Sequence, residues 1–358
     1  MVEEAAGRDK DPIQKVSRRN LLSTGSTLLN LACSNNPYGG FLKGKYYLLV
    51  GDSTSGKTFL SMSCFAEASI NKQFKDYRLI YDNVEDGMLM DIEGLFGSAV
   101  AKRVEPPAME EGVPLHSYTI EEFYYNMDDA IKKGKPFIYV LDSMDSLSSE
   151  AEGDKFDQHK KAHRAGTKSP GSYGDGKAKK NSEGIRKILK GLRDTDSILV
   201  IVSQTRDNIG FGFETKTRSG GRALKFYTTL EIWSSVLGSL KKTVAGKERQ
   251  IGVHVGLKIK KNRITGMKRE VELDIYPSYG IDDLGSCVDY LVSEKWWTKS
   301  KQSIVAGEFD LTATRSKLMD HIEKNNLESE LRSIVGKCWK SVDDACALHR
   351  KRKYEEPS

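Results

Sequence analysis

With 358 residues, 38% hydrophobic and 30% charged, the chain reads as a soluble globular protein able to bury a sizeable core in one or two domains. Its net charge of +6 is compatible with a nucleic-acid partner without establishing one, and it excludes histone-like charge density. Five scattered cysteines with no C-x-x-C pair exclude a disulfide framework and a zinc knuckle, and point to reduced thiols. No apolar run approaches the ~20 residues needed to span a bilayer, so no membrane partner and a cytoplasmic location are expected.

Residues 1–20 open MVEEAAGRDKDPIQ, too acidic and polar for a signal peptide, and are expected to form a short charged arm. From about 21 to 276, short apolar runs alternate with amphipathic stretches. The runs Tyr46–Val50, Arg78–Tyr81, Phe137–Leu141 and Ile198–Val202 have the look of strands buried on both faces of a parallel sheet. Between them, Thr58–Asn71, Ile120–Lys133 and Glu183–Arg193 predict helices, and this alternation argues an α/β fold. Val253–Ile259 and Val271–Ile275 alternate with polar residues and predict two strands joined by a turn at Thr265–Gly266. Residues 310–350 turn helical and end in the basic run His349–Lys353, so 277–358 is expected to be a small C-terminal region. Residues 153–182 are rich in Gly, Ser and Lys, with almost no large apolar side chain, and predict a mobile loop.

Gly51-Asp52-Ser53-Thr54-Ser55-Gly56-Lys57-Thr58 fits G-x-x-x-x-G-K-[ST] after the strand YYLLV and before a helix-like run. Gly51 and Gly56 let backbone N–H groups wrap a phosphate, and the helix N-terminus adds a favourable dipole. In such a loop Lys57 holds the β- and γ-phosphates of ATP, and the Thr58 hydroxyl ligates Mg²⁺. The strand FIYVLD ends in Asp142, the carboxylate that a P-loop enzyme uses to hold Mg²⁺ through its water shell. RLIYDNVED supplies Asp82 and Glu85 past its C-terminal end, beside the expected phosphate position. Glu85 is the candidate general base, although two carboxylates after a strand are as readily solvated surface groups.

Taken together, Leu22–Asn30, Gly39-Gly40 and the loop GDSTSGKT resemble the opening of the ATPase core of the RecA family. The similarity continues through the Asp142 strand into Ile201–Arg206, Ile209-Gly210 and the block Gly220-Gly221-Arg222-Ala223-Leu224-Lys225-Phe226-Tyr227. It runs on to Lys261–Ile264 and Tyr279–Asp282, covering about residues 21–295. The resemblance implies that Glu85 matches the water-activating glutamate, with one more residue after Asp82 than the family pattern has. It implies that Gln204 senses the γ-phosphate, and that Lys261 and Arg263 reach a neighbouring subunit's ATP, Arg263 standing where the family has Lys. It also assigns 153–182 and 207–221 to two DNA-binding loops. On this reading Lys177, Lys179, Lys180, Arg206, Lys216, Arg218 and Arg222 are the DNA-binding cations, with Tyr173, Phe211 and Phe213 stacking on or wedging between bases. An isolated Lys-rich loop would otherwise be simply solvated.

Other residues lean structural. His254 and His321 read as packed or surface groups, and Trp296-Trp297 as packing for the C-terminal part. Phe226 and Tyr227 read equally as a subunit contact or a core pair. The whole predicts an α/β chain: a RecA-type P-loop NTPase core with a mostly parallel central sheet flanked by helices, plus a small C-terminal α/β or helical domain. The expected activity is ATP-dependent polymerisation on single-stranded DNA as a helical filament, with pairing and strand exchange against homologous duplex DNA. A hexameric helicase or motor, and a nucleotide-gated DNA-coating protein with little turnover, are the alternatives. The short arm and long basic loop suggest a phage-borne relative.

Overall fold

A computed structural model describes residues 17–85, 91–167, 177–207, 216–218 and 221–350. The elements that position the site begin with α1 (Thr27–Ser34), β1 (Lys45–Gly51), α2 (Lys57–Ile70) and β2 (Arg78–Asn83). There follow α3 (Ile120–Lys132), β3 (Phe137–Asp142), α4 (Glu150–Arg164), α5 (Lys177–Asp194) and β4 (Ile198–Asp207). Next come β5 (Lys216–Arg218), α6 (Gly221–Tyr227), β6 (Leu230–Val244), β7 (Lys247–Asn262) and β8 (Glu270–Tyr276). Gly280–Ile281 (β9) leads into α7 (Asp283–Ser293).

Among the described residues, ten strands form one sheet in the order β9-β8-β7-β6-β1-β4-β3-β2, then the short strand Val104–Glu105, with β5 on β4. Pairings from β6 to Val104–Glu105 are parallel, and those from β6 out to β9 are antiparallel. The parallel strands are apolar on both faces because helices cover both. On one face Tyr47, Leu49, Leu79, Tyr81, Ile138, Val140, Val200 and Val202 pack with α1 and α2. Their neighbours Tyr46, Leu48, Val50, Ile80, Tyr139, Leu141, Leu199 and Ile201 pack with α3 and α5. Each such buried side chain contributes about 1.5–3 kcal/mol relative to exposure. Where α5 crosses α3, Gly184 is required: a Cβ there would meet the Tyr124 ring at 2.3 Å.

Described residues beyond β9 share that core. Three antiparallel strands, Thr298–Ser300, Ser303–Ala306 and Leu311–Thr314, precede α8 (Arg315–Lys324) and α9 (Glu328–Cys346). Leu291, Trp297, Leu318, Ile334 and Trp339 belong to the same apolar cluster as α1 and α2. Polar contacts reinforce the junction: Thr27 donates from its N–H and hydroxyl to Asp283, at 2.5 and 2.8 Å, and Arg332 donates to the Thr27 hydroxyl at 3.1 Å. Burial raises the Asp283 pKa, and the Thr27 bonds and Arg332 oppose that shift. No helix among the described residues is long and apolar enough to cross a membrane.

Two expectations change, and one long strand is unanticipated. The segment 153–182, expected to be a loop, is helical over 153–164 within α4 and over 177–182 within α5. α4 buries no residue, so its polarity hid it. A capping box between Ser149 and Glu152, acidic residues in the first turn and Lys161, His163 and Arg164 in the last hold a solvated helix. The unanticipated strand is β6: only its first five residues pair with β1, and beyond them it is mostly exposed and carries no continuous apolar run. Its second half forms a two-stranded ribbon with β7, turned at Ala245 (φ 52°) and Gly246 (φ 74°). Asp82, expected beyond its strand, lies within β2 and is fully buried.

Candidate functional site

β1 ends at Gly51 between β6 and β4, and the loop 52–56 rolls into the N-terminus of α2. The glycines are fixed by space. A Cβ on Gly51 would meet the Ser234 carbonyl oxygen at 2.5 Å, and one on Gly56, at φ 80°, would meet Ile275 at 2.2 Å. Thr54 is left-handed at φ 62°. Ser55 caps the roll by donating its hydroxyl to the Asp52 carbonyl at 2.7 Å, and Ser234 donates to the Ser55 carbonyl at 2.5 Å. Exposed Ser53 and Thr54 form the outer lip.

Lys57 lies at the base of this loop, 9% exposed, and its Nζ donates to the Asp52 carbonyl at 2.6 Å. Burial lowers its pKa, while Asp142, Glu85, Asp52 and Asp145 pull it back up. The next residue, Thr58, donates its hydroxyl to Asp142 Oδ2 at 2.8 Å, and Tyr81 donates to the same oxygen at 3.2 Å. Burial raises the Asp142 pKa against those two hydrogen bonds. The Thr58 hydroxyl and the Asp142 carboxylate, in contact with each other, are hard oxygen donors of the kind that suit a magnesium ion carried by a nucleotide's phosphates. The cradle of Gly51 and Gly56 suits its phosphates.

Glu85 is exposed just past β2, and its Oε1 accepts from the hydroxyls of Ser143 and Ser146, the latter at 2.9 Å. The side-chain amide of Gln204 donates to the same oxygen at 2.9 Å. Asp145 in turn accepts from the Gln204 N–H at 2.6 Å and from the Ser203 hydroxyl at 2.8 Å. The structure therefore brings Lys57, Thr58, Asp142, Glu85 and Gln204 to one end of the sheet. Asp82 is not among them. It accepts from the Ser117 N–H and hydroxyl, at 2.9 and 2.6 Å, and from Tyr139 at 2.6 Å, as a buried structural carboxylate.

Sequence reasoning missed Tyr81, Ser143, Asp145 and Ser146. The serines and Asp145 sit in the four residues after Asp142, so their position in the chain is the signal that could have found them.

Lys261 and Arg263 lie elsewhere. Lys261 Nζ donates to the carbonyls of Lys225 and Phe226, the latter at 2.8 Å, and Arg263 donates to that of Phe226 at 2.6 Å. β7 reaches Asn262 opposite Leu230, which pairs with Tyr47 at the start of β1. The phosphate loop follows the far end of that strand, about 13 Å away along it. Phe226 is 64% exposed beside these cations, whereas Tyr227 is half-buried against the core, so the expected pair is split.

Of the DNA-binding candidates, Lys177 pairs with Glu152 at 3.0 Å and Lys180 with Glu121 at 3.2 Å, and Lys179 is exposed. Phe211, Phe213 and Tyr173 lie outside the described residues. For Arg206, Lys216, Arg218 and Arg222 the backbone alone is described, in β4, β5 and α6.

A parallel sheet with a phosphate loop at the end of β1 and an acidic residue at the end of β3 defines a P-loop nucleotide-binding fold. The family model for the RecA N-terminal domain matches residues 126–282. Protein RecA of Helicobacter pylori (strain P12) is 30% identical over 281 residues, covering 77% of this chain and 71% of that protein. Protein RecA of Gluconobacter oxydans (strain 621H) is 26% identical over 353 residues, covering 94% and 90%. Protein RecA of Wolbachia pipientis from Culex pipiens (strain wPip) is 25% identical over 349 residues, covering 96% and 87%. The chain belongs to the RecA family, and its function is that of a RecA-type recombinase.

Proposed function

We propose that the chain is a DNA-dependent ATPase that polymerises on single-stranded DNA in the cytoplasm and promotes pairing and strand exchange with homologous duplex DNA. The observation that carries this reading is the hydrogen bond from Gln204 to Glu85 beside Lys57. It joins a carboxylate able to activate water to the strand that runs into the 207–221 segment.

In the proposed reaction the loop amides of 53–58 and Lys57 bind the phosphates of ATP. Thr58 and Asp142 would hold Mg²⁺, which neutralises phosphate charge when bound. Glu85, fixed by Ser143, Ser146 and Gln204, takes a proton from water as the water oxygen bonds to the γ-phosphorus and the bond to the β-phosphate oxygen breaks. ADP leaves with the bonding electron pair. The γ-phosphate, read by Gln204, favours the tight DNA-binding state, and its loss releases DNA. Lys261 and Arg263 sit at the wrong end of β1 to serve their own loop and suit a neighbour's, which makes hydrolysis a property of a filament. The cations of α5 and of 206–222 track the DNA backbone.

The test is ATP hydrolysis by purified protein with and without single-stranded DNA, with Lys57→Ala as the blank. Single strands are expected to stimulate turnover strongly, and the variant to lose it. Turnover indifferent to DNA would reject the recombinase reading and leave a nucleotide-binding fold.

A further inference from the structure

β1 and β4 run parallel, and their last paired residues are Gly51 and Gln204. One residue further along each, the Thr205 hydroxyl donates to Asp52 Oδ1. Asp52 is held at both ends, because its carbonyl accepts from Lys57 Nζ at 2.6 Å and from Ser55 Oγ at 2.7 Å. Its backbone is thus fixed by the lysine at the base of the phosphate loop, and its carboxylate holds β4. The position is chemically unusual: Asp52 sets a negative charge in a loop suited to anions, where Lys57 and Thr205 help to offset it. In the sheet, β4 lies between β1 and β3, with β2 beyond β3. The exit of β4 is therefore tied on one flank to β1 through Thr205 and on the other, across β3, to Glu85 through Gln204.

We propose that the Thr205–Asp52 hydrogen bond is a second coupling contact between nucleotide and DNA, with Thr205 as a positioning residue. The inference rests on the function proposed above. Gln204 reports on the carboxylate that activates water, whereas Thr205 reports on the phosphate loop itself. Phosphate that draws on Lys57 acts on Asp52, and through Asp52 on the strand entering the 207–221 segment.

The test compares wild type, Thr205→Val, which removes the donor and keeps the shape, and Thr205→Ser, which restores it. Affinity for oligothymidylate is measured with a non-hydrolysable ATP analogue and with ADP, alongside ATP turnover without DNA. Thr205→Val is expected to keep the DNA-free turnover and to lower the ratio of the two affinities by about tenfold, the scale of one charge-assisted hydrogen bond. Thr205→Ser is expected to recover the wild-type ratio. A Thr205→Val protein that retains the ratio of a coupled wild type overturns this inference alone. A wild type that binds DNA equally with both nucleotides overturns it together with the proposed function. If Thr205→Val lowers the thermal midpoint, a double-mutant cycle with Asp52→Ala, which removes the acceptor, decides: non-additive losses of the ratio support the contact, and additive ones overturn it.

Discussion

Past the end of β2, Glu85 is an exposed carboxylate whose Oε1 takes bonds from two serine hydroxyls and one amide. Such donors fix its orientation without burying it, which suits a base that must face water. Glu85→Gln keeps the shape and can still meet Ser143 and Ser146, but it cannot take a proton. We expect kcat to fall by about 10²–10⁴-fold, with KM for ATP nearly unchanged, in steady-state kinetics with single-stranded DNA. A variant with wild-type kcat would remove Glu85 from the base role. Lys57 and Asp142 show the opposite balance: burial pushes both toward their neutral forms, and the carboxylates near Lys57 and the Thr58 and Tyr81 hydroxyls on Asp142 oppose that push.

At the scale of elements, α4 and α5 carry the basic residues of 153–164 and 177–182 on helices rather than a loop. Glu121 joins α3, α4 and α5. It lies near the start of α3, accepts from the Glu150 N–H at 3.4 Å at the head of α4, and pairs with Lys180 of α5. Glu152 adds the pair with Lys177. Lys179 is exposed, and Lys177 and Lys180 hold their carboxylates through side chains that still reach solvent, so phosphate can compete for them. Neutralising Lys177, Lys179 and Lys180 together to Gln is expected to weaken single-strand binding. The slope of log affinity against log salt should become shallower by about 2, at ~0.7 for each phosphate that the three lysines neutralise. Fluorescence anisotropy at several salt concentrations measures it, and an unchanged slope would take the start of α5 out of the DNA interface.

Across the whole molecule, the sheet sets the distance between the phosphate loop and the cations Lys261 and Arg263. Lys261 and Arg263 stand at the opposite end of β1 from the phosphate loop, next to exposed Phe226. If they complete a neighbour's site, Lys57→Ala and Arg263→Ala should each be inactive alone yet restore turnover when mixed. Random 1:1 assembly joins an intact loop to an intact Arg263 at about a quarter of interfaces, and DNA-stimulated turnover is expected near that fraction of wild type. A mixture as inactive as its parts would place these cations outside the reaction.

The chain by itself determined the apolar strands, the phosphate loop with Lys57 and Thr58, and Asp142, because those features depend on local spacing and on periodicities of two and 3.6 residues. It also carried Glu85 and Gln204 as separate residues, 119 positions apart. What only the tertiary structure decided is their contact, the burial of Asp82 and the tie from Thr205 to Asp52. Parallel strands place at neighbouring ends residues that lie far apart in the chain, and no local pattern records which carboxylate faces the loop. Polar elements escaped for a related reason: α4 and the ribbon of β6 and β7 bury little, so hydrophobic periodicity had nothing to register. Capping, pairing and turn geometry formed them instead.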